Sequence, residues 1–342
     1  MRLLALLMAL LLAACARPVP EGVTELTYAT PYPPSHPFSR ADLRWMDWVH
    51  RESEGRLAIR PVWSGALLSA DMSMTELRHG VADIGLITPI YVRGGTHLLR
   101  IQTGFYSGAD SIESQVALYR CLERRLPEIG QELEGLKVLA VQGGLLPGIL
   151  TNGRRVRELD DLRGLRIRAP TELLAVLGSL GADPVNMPMG EVYSALAKGV
   201  IDGVVAPPDT LRALHLSEVA DHYFELKVPR GAYPARAMGE ERWRSLAPWQ
   251  RELLERSTAV WEAALADEIR LSEDVGRRAG AGRVAVSPVS PAEQAQFDAA
   301  YLRDAEANAR ALERFGLDGM QAFRLARDSI AARDRIECGD LT

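Results

Sequence analysis

Apolar positions recur along this chain in two alternating rhythms. From Leu26 to Gly144, short runs with strand-like alternation are separated by stretches in which apolar residues return every three or four positions. That succession predicts an α/β domain. "ELTYAT", "GRLAIRPVW", "DIGLIT" and "LKVLAVQGG" read as strands. The four prolines of "PYPPSHP" exclude regular structure, and beyond them Phe38, Ala41, Trp45, Trp48 and Val49 fall on one face of a helix. "SMTELRHGV" and the series Ile112, Val116, Tyr119 and Leu126 predict two more helices.

From Gly148 the same rhythm continues without repeating the sequence. "GILTNG", "LRIRAP", "DPVNMP" and "IDGVVAPP" read as strands, separated by the helical stretches "TELLAVLGSLG" and "GEVYSALAKG". Past Tyr233, Leu254, Thr258, Trp261, Leu265 and Ile269 keep a helical period, predicting a long helix from about Pro248 to Arg278. Pro291 to Ala331 is mostly helical in pattern. No period of 20 to 50 residues is present, which argues against a solenoid.

Composition adds limits to this picture. At 342 residues the chain suffices for two domains of ordinary size, each with its own core. Its formal charge of -5 comes from interspersed acids and bases, so neither nucleic acid nor an anionic membrane surface is an expected partner. The first residues, "MRLLALLMALLLAACARP", have Arg2, an apolar stretch from Leu3 to Leu12 and then small residues, the layout of a signal peptide. The apolar stretch is too short to span a bilayer, which takes roughly 20 residues. Its end, Leu12-Ala13-Ala14-Cys15, resembles the lipobox of bacterial lipoproteins, in which the cysteine is lipidated. A periplasmic protein anchored to a membrane by lipid alone is therefore expected. Cys121 and Cys338 remain as a pair in an oxidising compartment, and whether they bridge is open.

Recognisable catalytic chemistry is scarce. The six histidines show no metal-binding spacing, no CxxC pair exists, and there is no GxSxG elbow, P-loop or GxGxxG after a strand. Neither a cofactor nor a metal is expected. One strand end is more informative. "LRIRAP" alternates, placing Arg166 and Arg168 on one face, and Pro170 stops the strand. With Thr171 as N-cap and Glu172 in the first turn of the next helix, Arg168 would lie beside a helix N-terminus, a favourable place for a ligand carboxylate. Arg163 and Arg166 read as surface charge. Only three of the 40 basic residues are lysine, so arginine alone signals little.

Four segments in order give the chain a resemblance to the solute-binding proteins of tripartite ATP-independent periplasmic (TRAP) transporters. They are "PPSHPFSRADLRWMDWVHRESEGRLAI", "LRHGVADIGLI", "VRELDDLRGLRIRAP" and "LGADPVNMPMGEVYSALAKGVIDGVVAPP". The last two are the specific ones, matching a DLKGLKIR-like strand followed by PxxEVYxALxxGxVDG. The resemblance implies a periplasmic-binding-protein-like α/β fold: a two-lobed clamp with mixed sheets and a long helix spanning both lobes. Its expected parts are a signal peptide (1–14), a linker (15–23), lobe I (24–144), lobe II (145–232), a return to lobe I with the long helix (233–273), and lobe II with C-terminal helices (274–342).

In that family the arginine ending the strand binds the ligand carboxylate, and here the matching residue is Arg168. The resemblance also puts Thr88, Thr171, Met189 and Ala206 in the cleft, although the two threonines also read as caps and Met189 as core. Tyr32, Tyr91, Tyr233 and Arg236 lie in or near expected cleft loops, while Glu191 and Asp202 read as packing and turn residues. The implied partners are a small organic acid and TRAP membrane permease subunits powered by an ion gradient. Two departures bear on the ligand: Ala206 replaces a family asparagine, and "LLPGIL" lacks the second arginine of some sugar-acid binders. A single positive group in an apolar pocket points to a monocarboxylate with an apolar or aromatic body. A ligand sensor for a signalling receptor is the nearest alternative, and an envelope enzyme using the same cleft is a more distant one.

Overall fold

The computed structural model describes residues 20–92 and 94–340; Cys15 and the signal segment lie outside them. Strand β1 (Thr24–Ala29) buries Leu26, Tyr28 and Ala29 and runs parallel to its neighbours β2 (Leu57–Val62) and β3 (Ile84–Leu86). The crossover between β1 and β2 is helix α1 (Pro37–Glu52). Pro37 suits its first turn, and Nδ1 of His36 accepts from the Phe38 N–H at 3.2 Å. The apolar stripe Ala41, Trp45, Met46 and Val49 faces the sheet. Helix α2 (Ile112–Arg125) leads to the first lobe's β4 (Leu136–Gln142).

The chain then builds a second sheet from β5 (Gly148–Thr151), β6 (Arg166–Arg168), β7 (Asp183–Val185), β8 (Gly203–Ala206) and β9 (His222–Phe224), with helix α3 (Met189–Ala197) between β7 and β8. It returns as β10 (Tyr233–Gly239), which inserts antiparallel between β3 and β4 of the first sheet. Each sheet therefore mixes parallel and antiparallel pairs.

The long helix α4 (Pro248–Gly280) joins the two lobes. Toward its start, Trp261 stacks on Trp45 of α1 with ring centroids 3.6 Å apart. Near its end, Gly276 packs against the second lobe so closely that a Cβ there would lie 2.1 Å from the Pro208 carbonyl oxygen. Strand β11 (Ala285–Ser287) then completes the second sheet beside β9. The clamp expected from the sequence is present.

The final segment departs from the expected boundaries. Helix α5 (Pro291–Ala311) puts Phe297 and Tyr301 into the second lobe's core but Ala305 and Ala309 into the first lobe's. Helix α6 (Gly319–Ser329) packs Ala322, Leu325 and Ala326 against Leu118 and Leu122 of α2. Residues 291–329 thus contribute to the cores of both lobes. The structure also answers the open cysteine question, because Cys121 and Cys338 are bridged, with Cα atoms 5.5 Å apart.

Candidate functional site

Arg168 is the last residue of β6 and lies opposite Val204 of the parallel strand β8. Ligands of open α/β sheets gather at such carboxyl ends. Ile167 points into the core of the second lobe, so the residues on either side turn away from it. Arg166 is exposed and pairs with Asp183 at 2.8 Å, and Arg163 pairs with Asp160, surface roles in both cases. Arg168 differs in being only 3% exposed. Its Nε donates to the Met187 carbonyl at 2.9 Å and its Nη2 to the Tyr91 hydroxyl at 2.7 Å. Tyr91 follows β3 of the first lobe, so this second bond crosses between lobes. Among the described residues no carboxylate forms an ion pair with Arg168.

These side chains border a cavity of about 140 Å³ with walls from both lobes. An engineered apolar cavity of about 150 Å³ holds benzene, so this space suits one small ring or a short chain. Phe38, Leu145, Leu173, Met189 and Val205 supply apolar wall, and Tyr32 stacks on His36 at 4.0 Å between ring centroids. Burial, then the charges of Arg40 and Arg236, lower the His36 pKa to about 3. His36 is therefore neutral near pH 7, as an Nδ1 that accepts a hydrogen bond requires. Burial raises the phenol pKa of both Tyr32 and Tyr233.

Of the residues singled out from the sequence, Arg168, Thr88, Met189, Tyr91 and Tyr233 line this cavity; so does Tyr32. Thr171, Ala206 and Arg236 do not. Thr171 begins a short 3₁₀ turn behind Pro170, and its side chain caps no helix. The geometry of Arg168 beside an N-capped helix is corrected accordingly. Ala206 is fully buried in the second lobe's core. Arg236 is fully buried in the first lobe, where its Nε donates to Asp42 at 2.9 Å and its Nη1 to Gln142 at 3.1 Å. Asp42, equally buried, also accepts from the Tyr28 hydroxyl and the Trp261 indole. Arg236 belongs to a structural network.

The cavity also contains charged groups that the sequence did not suggest: Arg230, Glu172 and Asp209. A single positive group was expected; Arg230 is a second. Burial raises the carboxyl pKa of Glu172, against the opposing charges of Arg168 and Arg230. Burial likewise pushes Asp209 up to about 7, opposed by Arg230. Among the described residues, Glu172 Oε2 and Asp209 Oδ1 are buried without a hydrogen-bond partner. The available signal for Arg230 was its position in "VPRGAYP", the segment that carries the chain back to the first sheet. Among the described residues, no group of three His, Cys, Asp or Glu side chains is placed to hold a metal ion.

Known proteins with this architecture include a TRAP solute-binding protein from Rhodoferax ferrireducens in complex with copurified benzoate. It is 23% identical and superposes with a TM-score of 0.81 over 90% of this chain and 98% of its own. Another, from Bordetella bronchiseptica with bound (R)- and (S)-mandelate, is 20% identical, with a TM-score of 0.79 over 90% and 98%. A monocarboxylate 2-oxoacid-binding periplasmic protein from Nostoc is 26% identical over 52% of this chain and 49% of its own length. The chain spans about half the length of the first curated relatives that it matches. The family model for bacterial extracellular solute-binding proteins, family 7 (DctP), matches residues 28–309. With that match covering most of the sequence, and with the two-sheet clamp and its connecting helix in place, the chain belongs to the bacterial extracellular solute-binding proteins of family 7 (DctP).

Proposed function

We propose that this chain binds a small organic acid between its lobes and delivers it to TRAP permease subunits in the membrane. The observation that carries this reading is Arg168: a buried guanidinium on a cavity wall, positioned by a carbonyl and a hydroxyl, with no ion-pair partner of its own among the described residues. Burying such a charge is costly unless something pairs with it. A ligand carboxylate supplies the charge and charge-assisted hydrogen bonds. The bond from Arg168 to Tyr91 makes closure of the lobes part of assembling the site.

The ligand class follows from size and lining. A cavity of about 140 Å³ with largely apolar walls favours a monocarboxylate with a compact apolar or aromatic body. The benzoate and mandelate of the two structural relatives support the same class. The segment ending in Cys15 supports an extracytoplasmic lipoprotein, anchored to the membrane by lipid.

A thermal-shift screen of small carboxylates on soluble protein starting at Ala16 tests this reading. Ligand at about a hundred times its dissociation constant adds about 2.7 kcal/mol of stability. Compact monocarboxylates should raise the melting temperature, and Arg168→Ala should cut the rise to about half or less. A shift undiminished in Arg168→Ala removes the anchor, and a sugar acid or dicarboxylate exceeding every apolar monocarboxylate overturns the ligand class. Cys15→Ser in the full chain should release the protein from the membrane fraction.

A further inference from the structure

The carboxylate anchor leaves part of the cavity's polar chemistry unused. Arg230 is one such group. Its guanidinium lies over Gly144, where a Cβ would come within 2.4 Å of Cζ and 2.5 Å of Nη1. Glycine at 144 is therefore what makes room for it. The adjoining backbone is held closely too, since a Cβ on Gly231 would meet the Thr103 Cα at 2.6 Å. Arg230 is seated by its surroundings rather than left free in solvent.

Asp209 is the second group. It lies five residues beyond Val204, the register partner of Arg168, and so stands past the carboxyl end of the neighbouring strand. It is 5% exposed, and its Oδ1 is a buried acceptor without a donor among the described residues. Arg230 and Asp209 line the same cavity. An acceptor and a cation thus face the same cavity, separate from the bonds that position Arg168.

Three kinds of ligand substituent could meet this pair. An ammonium gives Asp209 its donor but places a cation near Arg230 and leaves the guanidinium without an acceptor. A second carboxylate suits Arg230 but meets another acceptor anion at Asp209 once that carboxyl has ionised. A hydroxyl does both jobs while neutral, donating its proton to Asp209 and accepting from Arg230.

We infer that Arg230 and Asp209 form a hydroxyl-recognition subsite, which selects hydroxylated carboxylic acids over their unsubstituted parents. The inference rests on Arg168 as the carboxylate anchor and narrows the substrate class. A site built to hydrogen-bond a hydroxyl discriminates strongly against an analogue lacking it, because its own polar groups are then left unpaired.

The test is calorimetric titration with two matched series: benzoate with its 2-, 3- and 4-hydroxy isomers, and butanoate with its 2-, 3- and 4-hydroxy derivatives. Isophthalate and 3-(aminomethyl)benzoate probe a second carboxylate and an ammonium. One hydroxylated isomer should bind at least about tenfold more tightly than its parent. Asp209→Ala should reduce that ratio to within about threefold. Gly144→Ala, which displaces Arg230 without altering Asp209, should do the same and provides an independent test if the first variant folds poorly. Arg168-dependent binding with no hydroxyl preference in either series overturns the subsite and leaves the anchor standing. Tighter binding of isophthalate or the aminomethyl acid than of every hydroxylated acid also overturns it. If neither series binds, or binding is unchanged in Arg168→Ala, the carboxylate reading falls and the subsite with it.

Discussion

Arg168 and Arg236 both lie on strands, both are buried, and both stood out in the sequence, yet their surroundings differ. Arg236 pairs with Asp42, which is itself fully buried and accepts from Tyr28 and Trp261 as well. Arg168 has a carbonyl and a phenol that fix its orientation but leave its charge uncompensated by any ion pair among the described residues. A buried arginine with its own acid holds a fold together. One held by neutral acceptors keeps its charge available to a ligand. Burial alone does not separate the two; the identity of the partner does.

The largest expected effect breaks the comparison on its structural side. Asp42→Ala strands the Arg236 guanidinium in the core, and removing one partner of a buried pair costs about 3–5 kcal/mol. Urea unfolding should show a loss of that size, whereas a change under about 1 kcal/mol would place Arg236 outside the structural network. On the other side, Arg168→Ala should leave stability almost unaltered while weakening carboxylate binding by about tenfold or more, from the loss of a charge-assisted bond worth about 1.5–3 kcal/mol. Arg168→Lys should not restore affinity, since an ammonium does not reproduce the fork that reaches both Met187 and Tyr91.

Asp209 sharpens the contrast, being a buried acid without an ion-pair partner among the described residues. With its pKa raised from 3.8 to about 7, the native state holds more protons than the unfolded state between those values. Stability therefore falls as pH rises through that window, and the penalty is complete above it. The stability of Asp209→Asn relative to the parent protein should grow from pH 4 to pH 8, reaching on the order of 1 kcal/mol or more in urea unfolding. His36 titrates in the opposite sense and is common to both proteins, so it cancels from the difference. A difference that is flat with pH would mean that Asp209 is not held in an unfavourable setting. The smallest expected effect is Tyr91→Phe, which removes the hydroxyl that accepts from Arg168. Carboxylate affinity should fall a few-fold, in line with a hydrogen bond worth about 0.5–1.5 kcal/mol.

The architecture was legible because hydrophobic rhythm is a local property, visible in the strands around Leu26, Ile84 and Ile167 and in the stripe that places Trp261 on α4. The place of Arg168 at a strand end on the cavity wall was legible for a related reason: alternation, a stopping proline and the surrounding motif all lie within a few residues of it. Arg236 was misplaced because its determining partner, Asp42, is 194 residues away in sequence. Arg230 was missed because its position depends on room left by Gly144, a residue on a different segment. Thr171 read as a cap, but behind Pro170 the chain makes a 3₁₀ turn first, and the helix begins only at Leu174. Likewise, nothing in the helical pattern of the tail specified that α6 would pack on the first lobe beside the Cys121–Cys338 bridge.

The most direct test of the central claim is a crystal structure of the protein with the tightest-binding acid from the carboxylate screen. The predicted complex has a carboxylate oxygen about 2.7–2.9 Å from a guanidinium nitrogen of Arg168, with Met187 and Tyr91 still holding the side chain. A ligand whose carboxylate rests on Arg230 alone, leaving Arg168 without contact, would contradict the account.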